Sequence, residues 1–90
     1  MPLIEQQVTV INKFGLHARP AMKFVETANK FSCSIDVSKG TLKVDAKSIM
    51  AVMRLAATQN TVLTILVDGE DAEEAMEALT TLIESGFDEE

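Results

Sequence analysis

The chain has one histidine, His17, in the stretch NKFGLHARPA (Asn12 to Ala21). It lies two residues after Gly15, two before Arg19 and three before Pro20. Proline lacks an N–H and clashes with the preceding turn inside a helix, so Pro20 belongs in a first turn, which puts His17 at a helix N-terminus. Unsatisfied N–H groups and the positive end of the macrodipole make such a start a site for an anion, phosphate above all. The same field disfavours imidazolium and leaves one ring nitrogen able to act as a nucleophile. Arg19 adds a guanidinium fork matched to phosphate oxygens, and Lys23, one turn on, adds positive potential. Gly15 permits a tight bend that keeps the backbone low and the imidazole within reach of another protein's active site. These features suit a histidine that receives and hands on a phosphoryl group, although a lone histidine at a helix start is also a common structural feature. With no second histidine, no nucleophile–base–orienter set and no cysteine cluster, neither a metal site nor a self-contained hydrolase is expected. No cofactor is expected either, so any chemistry at His17 is completed by a partner.

The elements that must hold this residue are readable from periodicity. From Ile4 to Ile11, Ile4, Val8 and Val10 share one parity with Gln6, while Glu5, Gln7 and Thr9 take the other, as in a strand with one wet face. Ala21, Phe24, Val25 and Ala28 recur at helical spacing and predict an amphipathic helix from about 18 to 30. Cys33, Ile35 and Val37 alternate with polar residues up to a bend at Lys39-Gly40, and Leu42 and Val44 return, predicting a hairpin. A short helix opens at Ser48 as N-cap with Ile49, Val52, Met53 and Ala56 on its apolar side. Thr61 to Val67 reads as a strand. Asp71 and Glu74 suggest a capping box for a last helix, striped with Ala75, Met76, Leu79, Leu82 and Ile83 and stopped by Gly86. The order is βαββαβα, and half-wet strands indicate an antiparallel or mixed sheet covered on one face by the helices, a two-layer α+β sandwich.

Composition bounds the rest. Ninety residues, 47% hydrophobic and 24% charged, fit one folded domain spanning residues 1–90. The opening MPLIEQQ has neither a basic n-region nor a long apolar stretch, and no run approaches a membrane span, so a cytoplasmic protein is expected. Cys33 alone makes no internal disulfide and reads as a small buried hydrophobe. The charge is uneven. Residues 1–67 hold all eight Lys and Arg beside four acids, whereas residues 68–90 hold ten acids and no base, as expected of a solvated acidic helix and tail. A pI near 4.6 argues against nucleic acid as the main partner. A monomer is expected, since no long exposed edge or heptad seam is evident.

The stretch KSIMAVM (Lys47 to Met53) carries more apolar side chains than a short helix needs for its buried stripe. Ile49 and Met53, at i and i+4, can face the core, while Met50 turns away. Methionine adapts to several surfaces, which suits a chain that meets a donor and an acceptor in succession.

Taken together, GLHARPA (Gly15 to Ala21) and KSIMAVM some thirty residues later resemble the HPr family, the histidine-containing phosphocarriers of the phosphoenolpyruvate-dependent phosphotransferase system. Length and element order agree along essentially the whole chain. The resemblance implies an open-faced sandwich with a four-stranded antiparallel sheet under three helices. It also implies phosphorylation of His17 on Nδ1, with Arg19 as the active-site arginine, and a carrier rather than an enzyme. Phosphate would come from phosphorylated Enzyme I and pass to a histidine of an Enzyme IIA protein, for sugar uptake or for regulation. Leu16, Lys23, Lys47, Ile49, Met50 and Met53 would form the partner interface. Ser48 matches the position that a serine kinase/phosphorylase modifies in kinase-regulated members, although Ala51 stands where many of these have glycine. HARPAMK and SGFDEE resemble the nitrogen-related branch instead. The competing class is a small-molecule-sensing βαββαβ regulatory domain, which would not need His17.

Overall fold

A computed structural model describes residues 3–88; Met1, Pro2 and the last two acids of the tail, Glu89 and Glu90, lie outside the described residues. The elements run β1 (Leu3–Thr9), α1 (Ala18–Ala28), β2 (Ser34–Lys39), β3 (Leu42–Asp45), α2 (Ile49–Met53), β4 (Val62–Asp68), α3 (Ala72–Glu84) and a final 3₁₀ turn (Gly86–Asp88). The four strands form one antiparallel sheet in the order β1-β4-β2-β3. The alternation read from the sequence becomes a register: Val8 stands opposite Leu63, Ile35 opposite Val67, and Val37 between Ile65 and Val44, all on one buried face. Glu5, Gln7, Asp36 and Lys43 take the other parity, and that face is left to water. Helix α1 packs against α2 and α3, and α3 lies over β1 and β4. Ala21, Phe24 and Ala28 of α1 and Ala75, Leu79 and Ile83 of α3 are fully buried, so the helical stripes are the roof of the sheet's dry face.

Three expectations shift. The hairpin bends at Gly40-Thr41 rather than Lys39-Gly40, with Gly40 at φ 59 and Lys39 still paired to Leu42. Cys33 precedes β2 instead of lying in it, yet is buried as expected; burial, with Asp71 alongside, pushes its thiol up to about 11. The capping box does not form. Asp71 occupies the N-cap position of α3 without a side-chain cap bond. Its carboxylate instead accepts bonds from the Ser32 and Cys33 amides at 2.8 and 2.9 Å and from the Ser32 hydroxyl at 3.3 Å. Amides at the end of the α1–β2 connection have no ladder partner, and a carboxylate with two acceptor oxygens satisfies them better than it would one helix N–H.

These bonds, the Ser32 amide foremost, hold the Asp71 carboxyl below the usual carboxylate range. A depressed folded-state value means that stability is gained above the unfolded value and lost as pH falls through the folded one. Asp71→Asn is therefore expected to lower stability at neutral pH, with the gap to the parent closing in acid. Denaturant midpoints measured across that range check it, and a gap independent of pH would contradict it.

Helix α3 ends where expected, with Ser85 as C-cap and Gly86 at φ 69. The turn beyond it is less ordinary. Phe87 and Asp88 also take left-handed values, φ 58 and 61, and Phe87 is fully buried. Such a conformation costs a non-glycine residue roughly 1–2 kcal/mol, which burial of a phenylalanine ring, about 3 kcal/mol by area, offsets.

Candidate functional site

His17 is the N-cap of α1, with extended φ and ψ of −74° and −176°, and its side chain makes no cap bond. The first helical bond runs from the Ala21 amide to the His17 carbonyl at 3.0 Å. Ahead of it, the Ala18 and Arg19 amides have no acceptor within the helix, and Pro20, buried as the third helical residue, has no N–H to satisfy. The imidazole and Arg19 are both exposed. With Ala18, Met22, Lys23 and Glu26 they line an open depression of about 580 Å³.

The loop before His17 is held rigidly. The Leu16 amide bonds the Ala57 carbonyl at 2.9 Å, the Gly15 amide bonds the Asn12 carbonyl at 3.1 Å, and the buried Asn12 returns a bond from Nδ2 to the Gly15 carbonyl at 2.8 Å. Gly15 has φ 64, and a Cβ there would collide with the Ala57 carbonyl oxygen and come within 2.8 Å of Thr58 Cα. Only glycine lets the chain run this close to the α2–β4 connection before turning out at His17. Phe14, 69% exposed, sets its ring edge to face with the imidazole, centroids 6.1 Å apart, and Lys13 Nζ lies 5.4 Å from the Phe14 ring centre. Neither Asn12 nor Phe14 falls in a periodic stretch that would mark it for the site. An asparagine three residues before a glycine was the available signal for a loop clamp.

Ser48 caps α2, its Oγ accepting the Ala51 amide at 3.3 Å. Of the four residues expected on the apolar side of α2, only Val52 is buried. The helix stops after Met53, and Ala56 takes φ 47, so Leu55 swings back into the core in place of Ile49, Met53 and Ala56. Ile49 and Met53 are 37% and 41% exposed and Met50 is 76% exposed, which leaves all three on the surface. Ile49 shares a second depression, about 260 Å³, with Met22, Val25 and Glu26 of α1, next to the first.

Of the residues expected at an interface, Leu16 is placed differently, and Lys23 and Lys47 have backbone partners. Leu16 is 4% exposed: its amide bond to Ala57 turns the side chain inward, and it belongs to the core. Lys47 donates to the Phe31 carbonyl at 2.7 Å, and Lys23 donates to the Phe87 carbonyl at 2.8 Å, so both ammonium groups are tied to backbone.

An antiparallel open-faced sandwich carrying an exposed histidine at the start of its first helix, with an arginine in the same turn, is the arrangement expected of a small phosphoryl-carrying domain. Comparison agrees: the family description "PTS HPr component phosphorylation site" matches residues 4–85. The chain is 48% identical to the phosphocarrier protein HPr of Xylella fastidiosa over 98% of its own length and 99% of the other. Against the Pseudomonas aeruginosa HPr it is 49% identical, covering 99% and 98%. An HPr crystal structure from Thermoanaerobacter tengcongensis superposes with a TM-score of 0.93 at 52% identity, over 97% of this chain and 98% of that one. HPr of Bacillus anthracis gives 0.88 at 43% identity, over 92% and 99%. The chain belongs to the HPr family, the phosphocarriers of the phosphotransferase system, and is a carrier rather than an enzyme. Among the described residues no helix is long and apolar enough to cross a membrane.

Proposed function

We propose that His17 takes a phosphoryl group from phosphorylated Enzyme I and passes it to a histidine of an Enzyme IIA protein. The observation that carries this reading is the exposed imidazole at the N-cap of α1, beside the Ala18 and Arg19 amides that lack helical acceptors. In the first step a lone pair of the His17 ring, Nδ1 by resemblance, attacks phosphorus as the phosphorus–nitrogen bond to the donor histidine breaks. The second step repeats this with His17 as leaving group. Because each step exchanges one phosphoramidate for another, the carrier need only position and stabilise charge. Arg19 and the helix start face the phosphoryl oxygens, and the docked partner excludes water. The chain works as a monomer in the cytoplasm in this reading, meeting its partners through Ile49, Met50 and Met53 on α2 and the adjoining Met22 groove. Mixing the chain with phosphoenolpyruvate and Enzyme I should yield an acid-labile phosphoryl adduct. An unmodified mass in the presence of active Enzyme I would favour a ligand-sensing module, for which the two helix-lined depressions offer less than a strand–helix cleft.

The reading extends to Ser48. A phosphate there joins a helix N-terminus, where charge is tolerated, so the fold survives. Docking suffers, since a dianion beside Ile49, Met50 and Met53 must be stripped of water when a partner covers them. Ser48→Asp is expected to accept phosphate from Enzyme I roughly tenfold or more slowly, about 1.4 kcal/mol in the transition state, with its thermal midpoint little changed. A rate equal to the parent's would rule out this off-switch.

A further inference from the structure

The C-terminal turn Gly86–Asp88 has no task in the phosphotransfer reading and lies beyond the residues 4–85 that the family description matches, yet it is built against the site. Three consecutive residues there have left-handed backbone, φ 69, 58 and 61, and two of them are not glycine. Strain of this kind persists only where surrounding contacts impose it. Two contacts do so: the Phe87 ring is fully buried, and its carbonyl accepts a 2.8 Å bond from Lys23 Nζ. Gly86 lies against Ile11 and Asn12, where the chain enters the loop that presents His17; a Cβ at Gly86 would sit 3.8 Å from each.

Lys23 lines the same depression as His17 and Arg19. Arg19 and Lys23 are four residues apart on one helical face, a spacing at which like charges repel, and Glu26, three residues beyond Lys23, lines the same wall. A lysine free to move would drift from the guanidinium and pair with Glu26, which would cancel its charge. The half-buried bond to the Phe87 carbonyl prevents both, holding the ammonium while Lys23 stays on the wall of the depression with Arg19.

We propose that the C-terminal turn is a working part of the phosphoryl site: the Phe87 carbonyl fixes Lys23 as an immobile second cation beside Arg19, and Lys23 is a positioning residue for transfer at His17. This rests on His17 being the phosphoacceptor. A charge already in place needs no reorganisation when the phosphoryl group arrives, and because transfer carries that group from the donor nitrogen toward the cation, the attraction grows from the docked complex to the transition state and is read in kcat.

The test is steady-state transfer from phosphorylated Enzyme I to the full chain carrying Lys23→Met, Lys23→Arg, Phe87→Ala or Lys23→Met with Phe87→Ala. Lys23→Met should lower kcat roughly 5- to 20-fold with KM within about twofold, and Lys23→Arg should recover most of the loss. Phe87→Ala should lose a similar factor, and the double variant no more than the worse single one. Should Phe87→Ala not fold, Gly86→Ala takes its place, since it strains the turn while keeping the buried ring. A parental kcat in Lys23→Met, a loss confined to KM, or independent multiplying losses would overturn the proposal while leaving the phosphoacceptor reading intact. A parent chain that takes no phosphate would overturn both.

Discussion

His17→Ala should accept no phosphate from Enzyme I while remaining folded, with stability changed by about 1 kcal/mol or less. The second half follows from exposure: the imidazole is on the surface, its side chain does not cap α1, and the helix begins on backbone bonds and Pro20. The first half follows from chemistry, because no other histidine is present in the chain to replace the lost nucleophile. Arg19→Ala should fall between the parent and His17→Ala, roughly 10- to 100-fold slower in transfer than the parent, since the helix start still faces the phosphoryl oxygens when the guanidinium is gone. Mass spectrometry of the intact chain after incubation with phosphoenolpyruvate and Enzyme I reads both variants. A phosphoryl adduct on His17→Ala would show that the acceptor lies elsewhere.

The second large effect is on the fold and reaches the site through it. Gly15→Ala is expected to destabilise the chain by about 2–5 kcal/mol, combining a left-handed residue at φ 64 with a methyl group driven into the backbone at Ala57 and Thr58. Neither neighbour is the end of a flexible side chain, so relief requires the loop to lift away and to loosen the Leu16–Ala57 and Asn12–Gly15 bonds. His17 would then no longer stand squarely over the start of α1, and transfer should slow even at temperatures where the variant is folded. Gly40→Ala is the control. It has similar backbone, φ 59, but nothing within 4 Å of an added Cβ, so it should cost only about 1–2 kcal/mol and leave transfer unchanged. Denaturant unfolding of both variants beside transfer rates checks the pair, and equal losses would refute the role assigned to the Ala57 contact.

The two apolar surfaces of α2 show where reading from sequence stops. Ile49, Val52, Met53 and Ala56 have helical spacing, and spacing was all that placed them on one buried side. The helix is only five residues long, so the core receives Val52 from it and then Leu55 from the turn after it. The helix gives way to a turn in which Ala56 takes φ 47, and helical spacing carries no signal for that. Asp71 repeats the lesson at the other end of the chain. Its position suits an N-cap, but the Ser32 and Cys33 amides, nearly forty residues away, offered more bonds.

The order of strands and helices, the buried faces of the sheet, of α1 and of α3, and the placement of His17 at a helix start were determined by the sequence itself. Each rests on local physics: alternation, helical period, and a proline that can stand only in a first turn. The tertiary structure alone decided that Leu16 turns inward, that Ile49 and Met53 join Met50 on the surface, and that Phe87 is driven into the core with its carbonyl on Lys23. These are competitions between groups far apart in the chain for the same space or the same hydrogen-bond donor, and only the assembled fold holds both competitors at once.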